Sequence, residues 1–211
     1  MRKYLTEFVG TMFFVLTVSL VVTNGDPMAP LVIGAVLMVI VYMGGHVSGG
    51  HYNPAVTLAV YLRGKLPAGE VAPYMVAQVL GATLGAYLCY MFLDKTTAPA
   101  PAVTSTTMTA LMVEALYTCL LCLTVLNTAI SKATQGNSYY GLAIGFSIVI
   151  AAFAGGPISG GAFNPAIGTG PTIVHALVGG GNYSHLWIYL VGPFTGSIVA
   201  ALLFKVQEAE G

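Results

Sequence analysis

Charge is scarce in this sequence. Only 7% of its 211 residues are charged and the formal net charge is zero, whereas soluble domains carry about 25% charged residues. Because 56% of the residues are hydrophobic, a soluble protein of this length could not cover its surface with so few charges. The composition therefore predicts a protein whose surface faces a lipid bilayer. No basic run is present, so a nucleic-acid partner is not expected.

Cysteine is also rare, and the sequence offers no arrangement typical of a metal or catalytic centre. Cys89, Cys119 and Cys122 all lie in apolar stretches. The last two form a C-x-x-C, but no histidine or second cysteine pair lies nearby, which favours buried, inert thiols over a zinc or redox site. No nucleophile, base and orienting acid come together in the chain. We therefore predict no metal, no cofactor and no enzymatic activity.

Six segments are apolar and long enough to approach the roughly 20 residues that a membrane-spanning helix needs. They lie at about 4–23, 30–46, 71–93, 107–130, 138–156 and 186–205. We interpret the first as an uncleaved span, because a signal peptide has a shorter apolar core. Two further apolar stretches, at about 54–62 and 165–175, are roughly half as long. At membrane depth such half-helices must be buried in protein or line a water-filled cavity.

The basic residues orient the predicted spans. An even number of spans places both termini on one side of the membrane, and six of the seven basic residues then share that side. They are Arg2, Lys3, Arg63, Lys65, Lys132 and Lys205, with Lys95 alone on the other side. By the positive-inside rule, both termini are expected in the cytoplasm of a multi-pass protein of the cell's inner or plasma membrane.

An internal repeat occurs at an offset of 111 residues. Residues 44–55 read GGHVSGGHYNPA and residues 155–166 read GGPISGGAFNPA, with eight of the twelve positions identical. Three spans separate the two copies, so the second enters the membrane from the opposite face, as in an inverted repeat. We therefore predict a single domain over residues 1–211, with halves at approximately 1–100 and 101–211.

The repeated Asn-Pro-Ala segments predict a pore where the two half-helices meet. Each half-helix begins at its proline, a residue suited to the first helical position. Two positive helix ends then face each other and repel cations, and each asparagine can donate an N–H group into the lumen. The residues of the two motifs are Asn53, Pro54, Ala55, Asn164, Pro165 and Ala166. Main-chain carbonyls that replace lost hydration are expected from Gly49, Gly50, His51, Gly160, Gly161 and Ala162.

At these motifs the chain resembles the aquaporin, or major intrinsic protein, family. The resemblance covers nearly the whole chain and implies an all-α membrane protein. Its fold would be a right-handed bundle of six transmembrane helices plus two re-entrant half-helices, assembled as a homotetramer with one pore in each protomer.

Five further residues also look like family positions and are expected to support the pore loops. They are Glu7, Glu114, Gln78, Pro193 and His46. For the two glutamates we favour carboxylates that accept main-chain N–H bonds from the re-entrant loops over a proton relay. His46 and His51 are interpreted as residues that fix the loop by hydrogen bonds, with a titrating gate as the alternative.

The chain departs from the family at the outer filter, where relatives usually place an arginine after the second Asn-Pro-Ala. Ile167 occupies that position, and the spacing from the motifs puts the other filter positions at Ile33, Ala152 and Gly161. An apolar filter without the arginine predicts a wide passive channel for water and small neutral solutes such as glycerol, urea, ammonia or undissociated acids.

Three alternatives stay open beside the wide channel. Phe153, Phe163 or Tyr183 could fold inward and narrow the mouth, which would give a water-selective channel. An apolar mouth that excludes water would give a structural membrane protein with a closed pore. A secondary transporter also uses inverted repeats, but it would need an ion-coupling acid at the midplane, and both intramembrane acids occupy the supporting positions.

Overall fold

The computed structural model describes residues 1–208, whose regular structure is entirely helical. The first half contains α1 (Arg2–Thr23), α2 (Ala29–Ser48), the half-helix α3 (Pro54–Leu62) and α4 (Ala68–Leu93). The second contains α5 (Thr107–Val125), α6 (Tyr140–Ala154), the single turn α7 (Gly156–Ser159), the half-helix α8 (Pro165–Val178) and α9 (Leu186–Glu208). The predicted fold class is confirmed.

Five helical stretches are long and apolar enough to cross a membrane, and α6 is a shorter apolar helix. One of the five combines α5 with a π-helical turn, Leu126–Ile130, so it ends where the predicted span ends. Under the 111-residue offset, α2 corresponds to α6 and α7 together. The interruption lies at Gly155, two residues before Pro157, which stands where the first copy has His46. Because proline has no N–H group, it cannot donate to the carbonyl four residues earlier.

Corresponding pairs of helices pack together in the two halves: α1 packs against α4, and α5 packs against α9. Between the halves, α2 packs against α6. Glycines make the close contacts possible. A Cβ at Gly85 of α4 would lie 2.8 Å from Leu16 N and would also meet Met12 O. At the equivalent Gly196 of α9, it would lie 2.9 Å from Cys119 N. The helix backbones therefore approach as closely as in other small-residue membrane interfaces.

We expect Gly85→Ala to destabilise the bundle, because the added methyl group meets the backbone of α1, which cannot move aside as a side chain would. Overpacking of this kind costs about 1–3 kcal/mol. Gly69→Ala on the same helix is the matched control, since a Cβ there meets nothing within 4 Å. Thermal unfolding in detergent should give a lower midpoint for Gly85→Ala than for Gly69→Ala. Equal midpoints would show that the α1–α4 contact tolerates a methyl group.

Candidate pore and its half-helix centre

Both half-helices start with the same cap. Asn53 and Asn164 are extended, with φ of −157° and −158°, and a proline follows each as the first helical residue. The side-chain oxygen of Asn53 accepts the N–H of Ala55 at 2.8 Å, and that of Asn164 accepts the N–H of Ala166 at 2.9 Å. An asparagine cap followed by proline is a strong helix start, which explains why both helices begin at the repeated motif.

The two caps are also bonded to each other's loops. Asn53 Nδ2 donates to Phe163 O at 3.0 Å, and Asn164 Nδ2 donates to Tyr52 O at 2.9 Å. Each amide group has two N–H bonds, so one remains on each asparagine after this exchange. Both asparagines line the same central cavity. The half-helix ends therefore meet, and their positive ends face one small space.

Tyr52 and Phe163, which accept these bonds, have positive φ values of 47° and 49°. Such a conformation is unfavourable for a bulky side chain and persists only where the surroundings hold it. Both rings are buried, and the Tyr52 hydroxyl donates to Ile40 O at 3.0 Å. The Phe163 ring packs edge-on against Tyr117, with the ring centroids 5.7 Å apart. Tight packing thus holds both carbonyls toward the opposite asparagine.

Glu7 holds the first re-entrant loop. Its fully buried carboxylate accepts four hydrogen bonds, from Ser48 Oγ at 2.6 Å, His51 N at 2.9 Å, Tyr52 N at 2.7 Å and Gln78 Nε2 at 2.8 Å. A carboxylate with four donors is fully satisfied in the membrane interior. This geometry agrees with the supporting role expected for Glu7 and Gln78.

Glu114 stands in the equivalent place in the second half. It accepts Ser159 Oγ at 2.7 Å, Ala162 N at 3.0 Å and Phe163 N at 2.6 Å. Glu114 thus has three hydrogen-bond donors, whereas Glu7 has four. The difference arises because the residue that lies 111 positions after Gln78 is a tyrosine, Tyr189. The two carboxylates therefore occupy matching positions with unequal numbers of partners.

Two tyrosines that support the loops were not predicted from the sequence. Tyr74 donates its hydroxyl to Ser48 O at 2.8 Å, and Tyr189 donates to Ser159 O at 2.5 Å. These acceptors are equivalent, but the tyrosines are not at the 111-residue offset, since Tyr189 aligns with Gln78. The repeat therefore gave no signal for the pair. These residues could have been predicted only from the rule that a tyrosine within an intramembrane helix needs a hydrogen-bond partner for its hydroxyl.

His51 is held by another residue that the sequence did not single out, Thr57. The Thr57 hydroxyl donates to Asn53 O at 3.1 Å and accepts Gln78 Nε2 at 3.0 Å. It also lies 3.1 Å from His51 Nδ1. The ring of His51 is therefore fixed by a hydrogen bond between its Nδ1 and the Thr57 hydroxyl.

The expectation for His46 is corrected. Its side chain is exposed at the end of α2 and makes no hydrogen bond within residues 1–208, so it does not fix the loop. His46 instead lines the wide cavity that opens beside the first re-entrant loop. Pro193 is buried inside α9, four residues after Tyr189.

Three cavities that share wall residues lie at the centre and on either side of it. The central cavity has a volume of about 20 Å³, little more than the 10–15 Å³ or so needed for one water. A 560 Å³ vestibule opens on one side, which we call the His46 vestibule, and its wall includes Lys65 and Lys132. A 410 Å³ vestibule, here the Ile167 vestibule, opens on the other. Among residues 1–208, no Asp, Glu, Lys or Arg lines the central cavity.

The four filter positions lie together. Ile33, Ala152, Gly161 and Ile167 each line both the central cavity and the Ile167 vestibule, so they surround the junction between the two. All four are apolar or lack a side chain.

Of the three residues that could narrow this junction, two point elsewhere. Phe153 and Tyr183 are each 51% exposed and belong to neither cavity wall. Phe163 lines the central cavity, where its ring is fixed by packing.

All six residues expected to present carbonyls line the cavities. Gly49, Gly50 and His51 line the His46 vestibule, Gly160 and Gly161 line the Ile167 vestibule, and Ala162 lines the central cavity. Within residues 1–208, none of the six carbonyl oxygens accepts a hydrogen bond from the protein. Positive φ values at four glycines of these loops, Gly49, Gly50, Gly160 and Gly161, allow the extended path. The cavity wall thus offers acceptors on both sides of the two asparagines.

A family model described as "Major intrinsic protein" matches residues 1–204. The chain belongs to the major intrinsic protein family. This is a channel family, and the predicted resemblance is confirmed.

Comparisons with individual proteins agree with this family assignment. The chain is 34% identical to glycerol uptake facilitator protein-like 6 of Lactiplantibacillus plantarum, over the full length of both. It is also 34% identical to nodulin-26 of Glycine max, over 98% of this chain and 78% of that protein. The aquaglyceroporin of Plasmodium falciparum has a similar structure, with a TM-score of 0.84, 21% identity, and coverage of 97% of this chain and 95% of that one.

Proposed function

We propose that this protein is a passive membrane channel for water and small neutral solutes, whose outer filter is apolar. One observation carries the proposal: the crossed asparagines lie where two half-helix ends meet, in a cavity of about 20 Å³ between two vestibules. A water there can accept a hydrogen bond from each remaining N–H group. It then donates outward to the carbonyls on either side, which orients it and interrupts a proton wire.

The apolar filter favours the passage of small neutral solutes in addition to water. Ile167 brings neither a charge nor a hydrogen-bond donor to the junction, so polar solutes meet no fixed cation there. One relative is named a glycerol uptake facilitator-like protein, and another solved relative is an aquaglyceroporin, which supports glycerol as a solute to test first. The supporting roles of the loop carboxylates and the carbonyl ladder belong to the same proposal.

The membrane arrangement is part of this proposal. We infer one channel domain whose termini are cytoplasmic, supported by the distribution of the basic residues, and a homotetramer, supported by the family resemblance. Reporter fusions to the C-terminus would test the orientation, and light scattering of the detergent-solubilised protein would test the assembly. A periplasmic or extracellular reporter signal, or a monomeric mass, would reject the respective inference.

Stopped-flow light scattering of proteoliposomes tests the main proposal. Wild-type vesicles should shrink faster than empty ones under osmotic shock and should re-swell in glycerol or urea gradients. If they shrink no faster than empty vesicles, the closed-pore alternative is correct. Water flux without glycerol or urea flux would instead support a water-selective channel. Transport driven by an ion gradient would support a secondary transporter.

We expect Asn53→Asp to let cations leak through the centre. The aspartate can still cap Ala55, but it replaces an N–H donor with a negative charge between two positive helix ends. Since about 1.4 kcal/mol corresponds to a tenfold change and a full charge at short range exceeds that, proton flux should rise at least about tenfold. The proton flux is measured with a pH-sensitive dye inside vesicles that are held under a potassium diffusion potential. Asn182→Asp, exposed and outside the cavities, is the control. Equal proton flux in the two variants would contradict the central barrier.

A further inference from the structure

Arg63 carries a positive charge at the outer end of the first half-helix. It is the residue that directly follows α3. At the 111-residue offset its counterpart is Val174, a buried apolar residue, so the repeated architecture does not require a cation at this position. The ion pair found within residues 1–208 joins Lys3 to Glu70. Arg63 therefore has no carboxylate partner in this part of the chain.

The Arg63 side chain is held with one edge of its guanidinium inside the protein. Its Nε is buried and has no hydrogen-bond partner within residues 1–208. The guanidinium carbon lies 5.8 Å from the centroid of the Phe204 ring, a distance at which a cation is attracted to an aromatic face. The two terminal Nη groups also form no hydrogen bond among the described residues, but they are not buried as Nε is. These outer N–H groups, and not Nε, are available to an anion.

The surface around Arg63 is apolar and lies on the outside of the bundle. Among the described residues, α4 and α9 do not pack against each other, and α3 packs against both. The last turn of α3 reaches the surface there, where Tyr61 and Leu62 are exposed, as are Leu202 and Val206 on the last turns of α9. In the proposed membrane arrangement these side chains face lipid, and Arg63 lies at the cytoplasmic end of that face.

The neighbouring charges show that this face differs from the pore entrance. Lys65, two residues after Arg63, lines the His46 vestibule, whereas Arg63 does not belong to that wall. Lys205 adds a second cation in the last turn of α9. Glu208, one turn beyond Phe204, forms no ion pair with Arg63. The end of α9 and the end of α3 together are thus positive on balance.

We propose that the outer end of α3 is a binding site for one anionic phospholipid, whose headgroup phosphate is held by the Nη groups of Arg63. The planar guanidinium matches the spacing of two phosphate oxygens, and basic groups at the cytoplasmic surface favour anionic headgroups. The acyl chains would cover the exposed apolar side chains of α3 and α9, which a free phosphate would leave uncovered. The inference goes beyond the channel function and does not depend on it.

Native mass spectrometry of the detergent-solubilised protein tests the site by titration with dioleoylphosphatidylglycerol or dioleoylphosphatidylcholine. Wild type should bind phosphatidylglycerol about tenfold more tightly than phosphatidylcholine at one site in each chain, and Arg63→Met should lose this preference. Arg63→Lys should be intermediate, because an ammonium keeps the charge without the planar fork. Lys65→Met is the matched control, since it removes an equal charge from the vestibule side of the same turn and should bind as wild type does.

Several results would overturn the lipid site. Equal affinity of wild type for the two lipids, or wild-type preference in Arg63→Met, would do so. Displacement of phosphatidylglycerol by millimolar inorganic phosphate would show a site for free phosphate instead. A lower oligomeric mass of Arg63→Met with unchanged lipid binding would show that a second copy covers this face. If circular dichroism shows that Arg63→Met does not fold, equal affinities of Arg63→Lys and Lys65→Met for phosphatidylglycerol would reject the proposal. Because no transport is measured, failure of the lipid site leaves the channel proposal standing.

Discussion

Glu114→Ala is expected to abolish water and glycerol permeability, because the second re-entrant loop loses its only carboxylate anchor among the described residues. Three donors, from Ser159, Ala162 and Phe163, converge on this group at 2.6–3.0 Å in the protein interior. The two main-chain N–H groups would each be left unpaired at about 1–3 kcal/mol, the Ser159 hydroxyl would keep only a 3.4 Å bond to Gly155 O, and no water is available in the bilayer core to replace the acceptor. A total cost of at least about 3–5 kcal/mol follows, comparable to removing one partner of a buried ion pair.

The measurement is osmotic shrinkage of proteoliposomes at matched protein content, together with the unfolding midpoint in detergent. Glu114→Gln should be intermediate, since its oxygen can accept two of the donors while its amide group opposes the third. Glu70→Ala is the matched control, because that partly buried glutamate accepts a bond from the Tyr4 hydroxyl and pairs with Lys3 at 2.7 Å near the surface, where ion pairs contribute little. Wild-type permeability and midpoint in Glu114→Ala would refute the anchoring role.

Ile167→Arg is expected to reduce glycerol and urea permeability by at least about tenfold while water still passes. Ile167 is 6% exposed and stands at the junction of the central cavity and its vestibule. A guanidinium there fills space, presents five N–H donors and adds a fixed positive charge. The lost space, the added donors and the charge all hinder glycerol or urea more than water, because the larger solutes must touch the wall of the junction as they pass and a single water need not. Proton flux should fall in the same variant.

Ile167→Met separates volume from charge, since methionine is long and flexible but neutral. It should leave glycerol permeability within about twofold of wild type if charge and donors are decisive. Equal loss in both variants would assign the effect to volume alone. Equal glycerol permeability in wild type, Ile167→Arg and Ile167→Met would show that this position does not control the passage, and the apolar-filter proposal would be wrong.

Much of the architecture could be predicted from the sequence, because it follows from the internal repeat. Identical Asn-Pro-Ala motifs require identical helix starts, and opposite entry follows from the three intervening spans. The gathering of Ile33, Ala152, Gly161 and Ile167 at one junction also agrees with the spacing from the motifs. These features depend on local sequence and on the odd number of spans between the two copies, both of which are visible without coordinates.

The remaining features depend on how side chains fill a particular space. Tyr74 and Tyr189 reach equivalent carbonyls from positions that are not equivalent, so the repeat hid them. His46 was expected to fix a loop, but its side chain lines the wall of the His46 vestibule without a hydrogen bond among the described residues. Pro157 could have predicted the break between α6 and α7, since a proline inside an apolar run removes a main-chain bond. The unpaired Nε of Arg63 has no counterpart in sequence, because pairing is a property of the neighbours.

The exchanged bonds between the asparagines and the opposite loops have a consequence for biosynthesis. Asn164 is separated from its acceptor, Tyr52 O, by 112 residues. While the first half is emerging from the ribosome, Asn164 is absent and does not help to hold Tyr52 in its unfavourable backbone angle, and Asn53 does not yet have the Phe163 carbonyl to bond. The first half-helix can therefore enter the bilayer early but settles only after the second has been translated. The conducting centre is thus completed in one late step, and a chain truncated before residue 164 would have inserted helices without an assembled pore.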